Sequence, residues 1–171
     1  MNRLTRRQLR KAHLAVEARA EDRVIYAWHL TTSRRHDGRL LPKLLEQIAG
    51  PIGDVLGDGA YASRSNAEYV EARGGVSYLR PRENWRPRAG APSAWQRLLR
   101  RYHGRPGWFG RCYRYRVNVE GRFSSMKRRQ GAHLRARTMA SQQRELGWKC
   151  VVQNLELCAR SYVRVGVELI L

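Results

Sequence analysis

Two short apolar runs flanking one amphipathic segment constrain the fold of this chain more than any other feature. Ile52-Gly-Asp-Val-Leu-Gly57 ends at Asp58-Gly59-Ala60-Tyr61, a helix is predicted over roughly Ser63 to Arg73, and Val76-Ser-Tyr-Leu79 follows Gly74-Gly75. Strand, helix and strand joined by such short turns make a parallel crossover unit, because parallel neighbours cannot be linked by a tight hairpin. Upstream, His13-Leu-Ala-Val-Glu17 alternates and Val24 to Thr32 is rich in β-formers, with Glu21 and Asp22 in the gap between them. That pattern predicts an antiparallel hairpin. Hairpin plus crossover gives an α/β fold with a mixed sheet.

In open parallel sheets, chemistry gathers at the carboxyl ends of the strands. Asp58 sits at such an end, followed by small residues that let a ligand approach the backbone. An Asp before Gly also suits a plain turn cap, so both readings stand. Between hairpin and crossover, Leu40, Leu41, Leu44, Leu45 and Ile48 form a helix-period stripe closed by Gly50-Pro51, with Asp37 as its expected N-cap. His36 beside it reads as a surface imidazole rather than a metal ligand. From about 82 to 110 the composition shifts to Pro, Gly, Arg and Trp, including Trp85, Trp95 and Trp108. Such a length is an insertion with a function or a basic linker anchored by its tryptophans. A helix from Tyr113 to Gln130 ends at Gly131, and a last helix from about Met139 to Arg160 carries Leu146, Cys150, Val151, Leu155 and Cys158 on one face.

Charge narrows the partner. The chain holds 34 Lys+Arg against 14 Asp+Glu among 171 residues, a formal net charge of +20. A surface so basic, and so rich in Arg, suits the phosphates of nucleic acid. No apolar run of about 18 residues is present, so a membrane partner is not expected. Cys112, Cys150 and Cys158 lack CxxC spacing, which points to reduced cysteines in a cytosolic protein, two of them packed in the last helix. Residues 1–10 are a basic segment with no apolar stretch of a secretory signal behind it, and residues 161–171 are a short apolar tail.

On a helix at roughly 100° per residue, Tyr113, Arg116, Glu120 and Lys127 share a sector about 60° wide. Val119, Phe123 and Met126 fall beside it as an apolar docking seam. An ordinary amphipathic helix with an Arg–Glu pair would look similar. Asp58 and Glu120 together suit divalent-metal phosphoryl transfer, since clustered carboxylates need a cation to relieve their repulsion.

Tyr113-x2-Arg116-x3-Glu120-x6-Lys127 resembles the Tyr-Arg-Glu-Lys signature of DDE-type insertion-sequence transposases, and Asp58-Gly-Ala-Tyr61 resembles their second-aspartate motif. Lys11 to Glu17, Thr31 to Asp37, Phe123 to Arg128, Leu134-Arg-Ala-Arg137, Gln143-x-Glu145 and Asn154-Leu155 resemble flanking blocks of that family. The resemblance implies an RNase H-like catalytic domain over residues 11–160, interrupted by the basic insertion before the Glu-bearing helix. It implies Asp58 and Glu120 as two of three metal-binding acids holding Mg²⁺ or Mn²⁺. Arg116 and Lys127 would contact phosphates near the transposon end, and Tyr113 would orient a phosphate or pack against the site. Arg128, Arg135 and Arg137 would join them on DNA, in a cytoplasmic, nucleoid-associated protein that could act as a homodimer on its DNA.

The family's first Asp lies on a strand upstream of the one resembled by residues 11–17, and no residue here takes its place. The expectation is therefore an N-terminally truncated transposase fragment that binds DNA and cuts weakly or not at all alone. A non-catalytic nucleic-acid-binding protein, or a repurposed nuclease of the same fold, are the other readings.

Overall fold

The structure, a computed structural model, describes residues 9–20, 22–90 and 92–164, so the basic segment before residue 9 and most of the apolar tail lie outside it. The chain divides into two compact units. Met1–Arg35 and Asn118–Leu171 make the first, and His36–Val117 the second.

In the first unit, strands β1 (Arg10–Val16) and β2 (Ile25–Thr32) pair antiparallel, as the alternation predicts. Helices α5 (Val117–Gln130) and α6 (Met139–Arg164) complete it. Leu14, Ile25, Leu30, Met126, Leu146 and Cys150 form the core, and Val119 and Phe123 pack against it, so the expected apolar seam of α5 does dock. On the hairpin, buried His13 lies 3.1 Å from the hydroxyl of Thr31 (Nε2 to Oγ1).

The outer edge of β2 is closed by side-chain amides of α6. Gln143 Oε1 accepts from the N–H of Leu30 at 2.6 Å, and Asn154 both accepts from and donates to the backbone of Ile25, at 3.0 and 2.9 Å. Strand edges otherwise present unpaired groups that invite another chain. This duty sets the rotation of α6. Leu146, Cys150, Gln153 and Leu157 are buried, while Leu155 is 62% exposed and Cys158 is exposed. The face expected from apolar residues alone is thus corrected, and only one of the two cysteines of α6 is packed. Burial pushes the Cys150 thiol up to about 12.

In the second unit, β3 (Asp54–Gly57) and β4 (Val76–Leu79) pair in parallel around α2 (Arg64–Ala72), confirming the crossover. Ser63 caps α2 by accepting from the N–H of Asn66 at 3.2 Å. Among the described residues the strands form two separate two-stranded sheets rather than one mixed sheet. The helix expected after Asp37 is shorter than its stripe. A 3₁₀ turn (Asp37–Leu40) precedes α1 (Leu41–Leu45), and His36 rather than Asp37 is the cap, its Nδ1 accepting from Gly38. Pro42 lacks an N–H and so sits at the start of the α-helical turn. The guanidinium of Arg73 donates to the carbonyls of Leu45, Ile48 and Gly50 at 3.0–3.1 Å and closes the other end.

The segment from 82 to 110 is no loose linker. It contributes α3 (Ala94–Gly104) and the start of α4 (Pro106–Tyr113). Leu98 and Leu99 are fully buried, and Trp85 and Trp95 pack on the same core with ring centroids 5.2 Å apart. Arg97 of α3 pairs with Glu71 of α2.

A Cβ at Gly147 would lie 2.9 Å from three atoms of the Trp28 indole, closer than real contacts allow. Gly147→Ala is therefore expected to push α6 off β2 and cost about 1–3 kcal/mol, as overpacking does. A lowered urea midpoint with unchanged m-value checks it.

Candidate nucleic-acid interface and carboxylate positions

Asp58 follows β3 directly, at the strand end anticipated for it, and is exposed. Its Oδ1 accepts from the N–H of Ala60 at 3.0 Å, and its carbonyl accepts from the N–H of Tyr61 at 3.1 Å. Both the cap and the open carboxylate are thus compatible at one residue. The turn is held from below by Asn66, a buried polar residue of α2 whose Nδ2 donates to the carbonyls of Tyr61 (2.7 Å) and Gly38 (2.8 Å). At Gly38 the two segments approach so closely that a Cβ would sit 2.7 Å from the Ala60 carbonyl oxygen. Sequence reasoning misses Asn66; the available signal is a polar residue preceding Ala67 on the inner face of α2. Burial, then the charges of Asp37 and Asp58, push the Tyr61 phenol far above its ordinary value.

The stretch from Tyr113 to Lys127 is not one continuous helix. Tyr113 ends α4, Arg114–Arg116 form a 3₁₀ turn, and α5 begins at Val117. Aromatic and β-branched residues at 113, 115 and 117 are weak helix formers, and the tighter turn also lets rings and guanidiniums stack. The shared 60° sector therefore does not carry over as drawn. Tyr113 is half-buried and stacks on Phe109 at 5.7 Å between centroids, and the Arg116 guanidinium lies 5.9 Å from the Tyr113 ring centre. The structure brings these two signature residues together. Tyr113 also lines an open cleft of about 420 Å³ with Arg80, Tyr102, His103 and Phe109. Exposed Trp108 carries the Arg111 guanidinium 5.2 Å from its ring centre.

Glu120 and Lys127 both lie on α5 in the first unit and are exposed. Seven residues apart, they fall within about 20° on one helix face. Glu120 occupies the first turn of α5, where the helix dipole favours a carboxylate. Asp58 belongs to the second unit and Glu120 to the first. Each offers exposed carboxylate oxygens, the hard donors that Mg²⁺ or Mn²⁺ takes. Among the described residues, no group of three or more His, Cys, Asp and Glu side chains converges to hold a metal ion.

The cations sort into two classes. Arg73, Arg97, Arg122 and Lys149 bond to backbone carbonyls or to Glu71, and Arg129 pairs with Glu156 at 2.6 Å. Lys127, Arg128, Arg135 and Arg137 are exposed, and among the described residues their side chains meet no hydrogen-bond or ion-pair partner. Arg34, Arg39, Arg64 and Arg80 are likewise exposed, with no side-chain partner among the described residues. Cations so placed are available to an external polyanion. No described helix is long and apolar enough to cross a membrane.

The chain matches the family of the transposase DDE domain over residues 2–155. No curated protein and no solved structure matches it.

The raised Tyr61 phenol has a pH consequence. Above its ordinary value of 10, the unfolded chain ionises this group while the folded chain keeps it protonated. The folded state then binds more protons, so stability falls as pH rises beyond that value. Thermal melts from about pH 9 to about pH 11 should show a smaller loss in Tyr61→Phe than in the wild type.

Proposed function

Because the chain belongs to the DDE transposase family, we propose that it acts on insertion-sequence DNA by metal-dependent phosphoryl transfer. The match over residues 2–155 carries this reading. Lys127, Arg128, Arg135 and Arg137 bind phosphates of the transposon end, as does Arg116, and Tyr113 is fixed by its stacking on Phe109. Asp58 and Glu120 are the carboxylates for Mg²⁺ or Mn²⁺, which when bound supplies Lewis acidity to the phosphoryl oxygens. Asp58 suits this role because its turn uses Oδ1 and leaves the residue exposed.

The reaction is hydrolysis at transposon ends followed by attack of the freed 3′-OH on target DNA, with paired copies of the protein on the two ends. Two acids are assigned where the family uses three. The 171-residue chain on its own therefore cuts DNA weakly or not at all, while its basic surface still binds it.

Duplex binding measured by anisotropy across salt concentrations tests the DNA interaction. Wild-type affinity should fall steeply with salt, and Lys127→Ala with Arg128→Ala should shallow the log–log slope by about 0.9 for each phosphate that is no longer neutralised. Plasmid nicking in Mg²⁺ tests the chemistry. Robust cleavage by the purified chain, abolished in Asp58→Ala, would overturn the weak-activity reading. Binding without any cleavage, unaltered by Asp58→Ala and Glu120→Ala in Mg²⁺, would favour a non-catalytic DNA-binding protein.

A further inference from the structure

The connector between α5 and α6 carries Arg135 and Arg137 but has no regular structure of its own. Gly131 leaves α5 with φ +84°, and from there the backbone is held by side chains of α6. The ammonium of Lys149 donates to the carbonyls of Gln130, Gly131 and His133 at 3.1, 3.1 and 3.0 Å. All three of its protons are thereby used. One turn earlier, the carboxylate of Glu145 accepts from the N–H of Arg135 at 2.9–3.0 Å and of Ala136 at 2.9 Å. Gln142 donates to the Ala136 carbonyl at 2.9 Å, and Glu145 and Lys149 lie 3.9 Å apart. Burial raises the Glu145 pKa, but the N–H groups of Ala136 and Arg135 and the charges of Lys149 and Arg135 outweigh it and hold it below the usual carboxylate value.

A carboxylate beside a DNA-binding loop is unfavourable on charge alone. Its bonds instead fix the backbone on both sides of residue 136 while the Arg135 and Arg137 side chains remain exposed. We propose that Glu145 and Lys149 are positioning residues that preorganise the 131–137 connector to grip the phosphate backbone of DNA. The benefit is entropic: a loop already ordered loses less freedom on binding. This rests on the reading above that the chain binds DNA through these cations.

Charge and positioning predict opposite signs. Glu145→Ala raises the formal net charge from +20 to +21, so a purely electrostatic surface would bind duplex DNA more tightly. Positioning predicts weaker binding, by about two- to tenfold, in a chain whose circular dichroism is unchanged. In the Arg135→Ala/Arg137→Ala background the loss should vanish, since the loop no longer has anything to position. Should Glu145→Ala fail to fold, Gln142→Ala frees the Ala136 carbonyl without changing net charge. It also removes the acceptor of Arg10 Nε, and because a released cation favours DNA binding, weaker binding still marks positioning. Binding equal to or tighter than wild type, or a loss that persists undiminished in the double-Arg background, overturns the proposal. If Arg135→Ala/Arg137→Ala alone leaves affinity unchanged, the connector does not touch DNA and the proposal falls while Lys127 and Arg128 can still carry binding. A wild-type chain that does not bind DNA at all overturns the functional reading itself.

Discussion

The closing of β2 by two amides of α6 is the constraint on which the first unit depends. Gln143 and Asn154 are eleven residues apart, which a helix covers in about 16.5 Å. The strand residues they serve, Leu30 and Ile25, are five apart, which an extended chain covers in about 17 Å. The lengths agree, and eleven residues also return a helix to nearly the same face, so both bonds form at once only in this register. Gly147 lies between them and lets the backbone of α6 come down on the Trp28 indole. Once that face is fixed, the neighbouring one follows. Glu145 and Lys149 then point at the connector rather than at the core.

The second unit uses the same economy of polar groups. Arg73 terminates α1, Asn66 ties the Asp58 turn to the segment around Gly38, and Glu71 holds Arg97 across α2 and α3. A net charge of +20 therefore overstates what is offered to a ligand. Part of it is internal scaffolding, while Lys127, Arg128, Arg135 and Arg137, in the last turn of α5 and the connector behind it, are among the exposed cations whose side chains meet no partner among the described residues.

Much of this is legible in the sequence because local chemistry and tertiary structure agree. The hairpin, the crossover, the Gly131 stop and the seam of Val119, Phe123 and Met126 all follow from periodicity and turn residues. Sequence and structure part where polar residues do interior work. Periodicity misplaces the α6 face because Gln153 and Asn154 look like surface residues, yet one is buried and the other serves a strand edge. The 3₁₀ turn at 114–116 escapes a calculation that assumes one helical period throughout. The region from 82 reads as an insertion because Pro, Gly and Arg dominate its composition, while its few Trp and Leu residues decide where it goes. The spacing of Tyr113, Arg116, Glu120 and Lys127 points to the family even though the helix drawn to explain it is interrupted.

The first unit is assembled from the two ends of the chain, and the second is contiguous between them. The amides that close β2 lie 113 and 129 residues downstream of the strand atoms they meet. During synthesis the hairpin therefore emerges early and waits, with its edge open, while residues 36–117 are made and can fold as a unit. Only the arrival of α6 ends that interval. Contacts of such high sequence separation form slowly, so the edge of β2 stays open to edge-to-edge pairing until α6 arrives.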